Sequence, residues 1–248
     1  MQIEEYDALE KVESEHWFYK GKRLLVRHWI EHAARLMRGD LIVDSGAGTG
    51  ELVRELRSVY ESRGVSVIGI EYAEEPRRLA WERKGIELLA GSILDLPLED
   101  DSSKVTIALD VLEHIENDKL AFSELLRVTA RGGLIILNVP AFMSLWSDWD
   151  VSLGHFRRYT KRMLNDVISP HRSNFEVLHF DYANSLAFLT ILTVRKLSKL
   201  FRLKSRLEDH LPSPRMNNIL LKLFVIPSEK SWFHPPFGSS LFCVFRKK

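Results

Sequence analysis

Leu41-Ile42-Val43-Asp44-Ser45-Gly46-Ala47-Gly48-Thr49-Gly50 decides how the rest of the chain is read. Three bulky apolar residues form a short run that breaks into alternating glycines, and apolar positions then recur at helical spacing over residues 52–60 until Gly64. That order predicts a buried strand, a tight turn and a helix. Glycines let the backbone turn sharply and let a ligand approach main-chain N–H groups. Working outward, further apolar runs at 65–70, 86–89, 105–109 and 134–139 read as strands. The segments 75–84 and 119–129 read as helices, and Leu25, Trp29, Ile30, Ala33 and Leu36 mark a helix between Gly21 and Gly39. The strand runs are continuous and not alternating, as expected where helices cover both faces of a sheet. The spacing therefore predicts an α/β, doubly wound, mostly parallel sheet. In such a sheet ligands sit beyond the carboxyl ends of the strands, here after Val43, Ile70, Leu89, Leu109 and Val139.

Composition narrows the class. The 248 residues are 45% apolar and 28% charged, ordinary values for a folded domain. Lys+Arg is 35 and Asp+Glu is 34, a net charge of +1, so no nucleic-acid partner is expected from global charge. Cys243 is alone, which excludes an intrachain disulfide and any cysteine-based zinc or iron–sulfur site. The acidic start shows no secretory pattern. The longest apolar stretch, 186–194, falls well short of the roughly 20 residues that cross a bilayer. A cytoplasmic protein without a transmembrane segment is expected.

The second half is organised differently. Strands are expected at 175–180 and 241–245, and helices at 186–203 and 216–226 between them. Arg195, Lys196, Lys199, Arg202, Lys204 and Arg206 make one basic stretch. It has apolar and cationic faces, suited to an anionic membrane surface, a cap over the substrate or a dimer contact. The division is 1–20 as an N-terminal lid segment, 21–182 with 238–248 as the core, and 183–237 as a helical insertion.

Two acids define the ligand. Glu71 ends the second strand, 21 residues after Gly50, where an acid accepts both hydroxyls of a ribose. A dinucleotide fingerprint needs its third glycine one position later, where Glu51 stands. Glu51 and Asp44 would repel a pyrophosphate, so a nucleoside carrying an ammonium and a sulfonium fits better. Two other readings stay open: a nicotinamide-dependent oxidoreductase, and a non-catalytic nucleoside-binding module.

The glycine stretch resembles the first motif of class I S-adenosylmethionine-dependent methyltransferases, and more closely the small-molecule enzymes of the ubiquinone and menaquinone type. Gly91-Ser92-Ile93-Leu94-Asp95-Leu96-Pro97, Ala108-Leu109-Asp110-Val111-Leu112-Glu113-His114-Ile115 and Gly132-Gly133-Leu134-Ile135-Ile136 resemble the family's later segments in order. The resemblance implies a seven-stranded Rossmann-like sheet with an antiparallel last strand, and S-adenosylmethionine as cofactor. It implies that Ser45, Gly46, Ala47, Gly48 and Gly50 surround the methionine moiety and that Asp44 organises its amino group. Glu71 would hold the ribose, Tyr72, Ser92 and Ile93 would meet the adenine, and Asp110, Val111 and Leu112 would frame the reacting end. Ser92 stands where the family often has Asp, and a neutral hydroxyl bonds more weakly than a carboxylate.

Gly154-His155-Phe156-Arg157-Arg158-Tyr159 follows the fifth strand and resembles a substrate-side segment of related enzymes. It makes His155 the candidate base, with Arg158 and Tyr159 orienting a polar or anionic acceptor. The expected reaction is methyl transfer to a small molecule, oxygen preferred, with a lipid-linked acceptor and a homodimer left open. No metal is expected, since a sulfonium methyl is already activated. Asp148 and Asp150 read as a solvated loop, and His28-Trp29-Ile30-Glu31-His32 as helix-edge histidines. Trp17 and Phe18 either fold over the cofactor or pack on the domain.

Overall fold

The structure, a computed structural model, describes residue 10 and residues 12–200, 211–229 and 232–248. Its strands are β1 (Leu41–Ser45), β2 (Ser66–Glu71), β3 (Leu89–Ala90), β4 (Ser103–Leu109), β5 (Thr129–Pro140), β6 (Phe175–Ala183) and β7 (Ser240–Lys247). They form one sheet in the order β3-β2-β1-β4-β5-β7-β6. β3, β2, β1, β4 and β5 run parallel, whereas β7 is antiparallel to both β5 and β6. The doubly wound sheet with an antiparallel last strand is therefore present.

The continuous apolar runs have a direct cause. Successive strand residues point to opposite faces, and both faces are covered. Ile42 belongs to one core cluster and Val43 to the other, and Ile136 and Ile135 divide the same way. All four are fully buried. The helices that cover the faces are α1 (Trp17–Ala33), α2 (Glu51–Tyr60), α3 (Glu74–Lys84), α4 (Asp118–Val128), α5 (Asp148–Leu153), α6 (Lys161–Ile168), α7 (Ser185–Leu200) and α8 (Pro214–Ser228).

Two departures from the sequence reading are informative. The run 86–89 is not itself a strand. Only Leu89 and Ala90 pair, with Ile70 and Glu71, while Ile86 and Leu88 are buried in the core as the chain returns from α3. Apolar burial and strand pairing give the same local pattern, so periodicity could not part them. The short helices α5 and α6 were not read at all. α5 starts with a capping box in which Ser147 and Asp150 satisfy each other's ends. Of the basic run, Arg202, Lys204, Arg206 and the side chain of Lys199 lie outside the described residues, as do residues 1–9 of the expected lid.

The insertion helix α8 packs on α1. Gly21 makes this approach possible: a Cβ there would lie 1.9 Å from the Phe224 ring. Asn217 on α8 accepts from the Trp17 backbone at 2.9 Å and donates to the Glu15 carbonyl at 2.8 Å. The N-terminal segment is thereby fastened to the insertion above the sheet edge. His28 and His32 stack on α1 at 4.1 Å. No helix among the described residues is long and apolar enough to cross a membrane.

Candidate active site

At the carboxyl edge of β1, β2, β4 and β5 opens a cleft of about 1170 Å³. That exceeds the roughly 300–1,000 Å³ of a typical single-ligand site. It is walled by the glycine turn and β2 at one end and by α7 and α8 at the other. Strand ends that border this edge carry strain. Asp110 after β4, Phe142 after β5 and Asn184 after β6 all have positive φ, at 55°, 59° and 56°. Non-glycine residues rarely adopt that region, and they do so chiefly where the surroundings hold them for a function.

The glycine turn is built as its residues require. Gly46 has φ 86°, and a Cβ on it would meet Val111 at 2.4 Å; Gly48 has φ 53°, and a Cβ on it would meet nothing within 4 Å, since it faces open space. Glu71 braces the turn. Its Oε2 accepts from the Gly48 N–H at 2.9 Å and its Oε1 from the Ala73 N–H at 3.0 Å.

Negative charge gathers at this end without a full set of partners. Burial first, then the Glu71 and Glu13 carboxylates, push the Asp44 pKa up to about 7. No donor among the described residues bonds the Asp44 carboxylate. Burial likewise raises Glu71 and Glu13. Glu51 differs. Burial would raise its pKa, but Arg54 at 2.5 Å and Lys84 at 3.6 Å outweigh it and hold it low. Its charge is compensated, and Glu13 is likewise paired with Lys84 and bonded by Thr49, so the case against a pyrophosphate passes from Glu51 to Asp44 and Glu71. A ligand carrying positive charge would relieve these two. A sulfonium nucleoside with an ammonium group fits on that ground, and the open space beside Gly48 gives it room.

At the centre, Asp110 accepts from Asn138 Nδ2 at 2.7 Å and is ion-paired with Lys22. Lys22 is buried on α1, its ammonium 4.3 Å from the Phe18 ring centre. Beyond lies an apolar half. Trp149, Leu186, Ile191, Val194, Leu220 and Leu223 line it. Ala187, Ile191 and Val194 recur at helical spacing, so α7 turns one apolar face into the cleft.

His155 enters this half beside Asp150. Its Nδ1 is 2.9 Å from Asp150 Oδ1, which leaves Nε2 as the free ring atom, 3.9 Å from Glu113. Asp150 is fully buried. Burial alone would raise its pKa, yet His155, Arg158 and the Ser147 N–H together hold it well below the usual carboxylate range. The solvated-loop reading of Asp150 is therefore corrected: the acid is the anchor of the segment. Arg158 donates to it from Nε at 2.7 Å. Burial, with the nearby His155, pushes His114 down to about 4, so its imidazole is neutral.

The structure brings most of the expected residues together. Asp44, Gly46, Ala47, Gly48, Glu71, Tyr72, Ser92, Ile93, Asp110, Val111, His155 and Arg158 line the cleft. Ser45, Gly50, Leu112 and Tyr159 do not. Ser45 and Leu112 are fully buried, and Gly50 caps α2. Tyr159 is a correction: its hydroxyl is buried, donates to Asp118 Oδ2 at 2.9 Å and lies 3.2 Å from the Leu112 carbonyl, so it faces away from the cleft and orients no acceptor. Trp17 and Phe18 line the cleft and pack on Phe224, at 6.2 and 6.1 Å between ring centres, as the packing expectation has it. Lys22, Asn138 and Glu13 were missed. Lys22 carried a readable signal, a cation on the helix stripe that continues through Leu25 and Trp29.

Known proteins agree with this geometry. The family model for the methyltransferase domain matches residues 43–137. A methyltransferase of Mycobacteroides abscessus is 28% identical over 141 residues, 54% of this chain and 52% of that protein. The chain thus spans about half the length of the curated relatives it matches. Among solved structures, an S-adenosylmethionine-dependent methyltransferase of Thermotoga maritima superposes with TM-score 0.58 at 18% identity, covering 99% of this chain and 96% of that one. Geranyl diphosphate C-methyltransferase of Streptomyces coelicolor, solved with S-adenosylhomocysteine, superposes with TM-score 0.58 at 14% identity, covering 91% of this chain and 79% of that one. Over residues 43–137 the chain matches the methyltransferase domain family, and its sheet has the fold of the S-adenosylmethionine-dependent methyltransferases it superposes on.

Proposed function

We propose that the chain transfers a methyl group to the oxygen of a small molecule with an apolar body. The observation that carries this is the two-part cleft: an under-compensated acidic end at Asp44 and Glu71, joined through Asp110 to an apolar chamber that ends on His155. S-adenosylmethionine, when bound, supplies a sulfonium methyl that needs no further activation. The protein's part is alignment, which can supply several kcal/mol. Asp44 and Glu71 hold the cationic and hydroxyl groups of the nucleoside, and Tyr72, Ser92 and Ile93 border its base. Lys22 and Asn138 fix the Asp110 carboxylate between the halves. Trp149, Ile191 and Leu223 exclude water from the acceptor. His155, oriented by Asp150, takes a proton at Nε2 from an acceptor hydroxyl. Arg158 is a positioning residue that works through Asp150.

The test is in two steps. S-adenosylhomocysteine should bind the purified protein with a saturable isotherm. Labelled methyl should then pass from S-adenosylmethionine to hydroxylated amphiphiles and not to equally apolar molecules without a hydroxyl. No binding at millimolar cofactor by a folded protein would refute the proposal, and transfer only to amines or carbon would refute the choice of oxygen.

A further inference from the structure

At the acceptor end three ligating side chains converge. Glu113, His114 and His155 each offer one atom, and these atoms all lie within 4.8 Å of one another. Glu113 and His114 follow β4, and His155 comes 41 residues later, so no local motif announces the group. Donors bound to one ion at bonds of about 2.0–2.2 Å stand roughly 3–4 Å apart. Side-chain rotations of about an ångström would close this set around a cation.

Two independent features mark the cluster as more than a chance meeting. Glu113 is fully buried, and neither of its carboxylate oxygens has a hydrogen-bond partner among the described residues. A buried carboxylate left in that condition is costly unless a cation or a proton joins it. The Lys22 ammonium is engaged with Asp110. Furthermore, His155 is anchored through its other ring nitrogen: its Nδ1 bonds Asp150 Oδ1 at 2.9 Å. Asp150 is in turn held by Arg158 and the Ser147 N–H. A carboxylate behind an imidazole is the outer arrangement that orients a metal-ligating histidine.

We propose that Glu113, His114 and His155 bind one divalent transition-metal ion, zinc by ligand preference, with its open side towards the acceptor chamber. Two imidazoles and one carboxylate with a free position is a donor set for a Lewis-acidic ion. Whether the site exists does not depend on the methyltransferase reading; what it does there rests on it. An acceptor hydroxyl bound to the ion releases its proton to solvent, and the oxygen keeps the electron pair. The carbon–oxygen bond then forms, the carbon–sulfur bond breaks, and that pair stays on sulfur. With the ion bound, His155 Nε2 is a ligand, and the ion replaces it as the group that activates the hydroxyl; the base role of His155 belongs to the metal-free protein.

The test uses the full chain, stripped with a chelator and titrated with zinc by calorimetry and with cobalt by absorption. One equivalent should bind, with visible cobalt bands. His114→Ala, His155→Ala and Glu113→Gln should each weaken binding at least tenfold. A His28→Ala/His32→Ala variant, which removes the stacked pair on α1, should keep it. Paramagnetically shifted ring protons of two histidines in cobalt-loaded wild-type protein give the same answer should a variant fail to fold. Failure of the wild type to bind metal, or loss of binding only in the α1 variant, overturns the proposal. S-adenosylhomocysteine binding is measured on the same samples. Cofactor binding without metal binding overturns this inference and spares the proposed function. Metal binding lost in His155→Ala, without cofactor binding, supports the site and overturns the proposed function.

Discussion

Replacing Asp44 with Asn tests the electrostatic logic of the cleft most directly. In the free protein, burial with Glu71 and Glu13 places the Asp44 pKa at about 7. A cationic ligand needs the ionised form. With that pKa, about one molecule in a hundred is ionised at pH 5 and about one in four at pH 6.5, so cofactor affinity should rise about 25-fold between them. The window stops near 7 because an α-amino group begins to lose its own charge at about 7.7–8.0. Asp44→Asn should remove most of this slope, leaving the part due to Glu71, and should weaken binding at pH 7 by about 1–3 kcal/mol. Calorimetry in buffers of differing ionisation enthalpy should show nearly one proton released per wild-type binding event at pH 5.5. Stability runs the other way. A carboxyl whose folded pKa is raised penalises the fold above its unfolded value, here 3.8, and the penalty grows until about pH 7. At about 1.4 kcal/mol per unit it reaches a few kcal/mol. The ligand-free Asn variant should therefore melt above the wild type at pH 8, and the gap should close towards pH 4. An affinity flat from pH 5 to 6.5, or a variant that keeps the full slope, would refute the reasoning.

Three further outcomes are expected. Glu71→Gln should weaken S-adenosylhomocysteine binding about 5- to 100-fold in calorimetry, since it removes a charge-assisted acceptor that also braces Gly48. Gly21→Ala should lower the melting temperature, because its Cβ would lie 1.9 Å from the Phe224 ring; overpacking costs about 1–3 kcal/mol, and adding Phe224→Leu should recover part of it. Tyr159→Phe should cost about 1 kcal/mol of stability in urea unfolding while leaving the cofactor dissociation constant unchanged, because its hydroxyl serves Asp118 and not the cleft.

The sheet was legible because burial on both faces writes itself into sequence as unbroken apolar runs. The cofactor end was legible for a related reason: Asp44, Gly46, Gly48 and Glu71 sit at the ends of neighbouring strands, where backbone geometry alone sets their positions. The acceptor end was not. Ile191 and Leu223 reach the cleft from an insertion whose packing on α1 depends on Gly21 and Phe224, which are 203 residues apart. Glu113 looked like part of a family segment, and only the fold shows that its carboxylate is buried beside His155. Tyr159 misled because adjacency in sequence to His155 does not carry over to one face once the chain turns back into the core.

Asp110 explains why the two halves have to be considered together. Its φ of 55° places it in a conformation that costs a non-glycine residue of order 1–3 kcal/mol, and its backbone N–H donates to the Asn138 carbonyl at 2.8 Å. Asn138 Nδ2 and the Lys22 ammonium hold the carboxylate from two sides. The next residue, Val111, fills the space that a Cβ on Gly46 would need, and Glu113 follows two positions later. One strained turn therefore sets the wall of the cofactor end and the first ligating group of the acceptor end. A change that keeps the strain but removes the carboxylate that Asn138 and Lys22 hold, such as Asp110→Ala, should loosen both at once: cofactor affinity and zinc affinity should fall together in calorimetry. If one fell and the other held, the turn would not be the shared support that its geometry indicates.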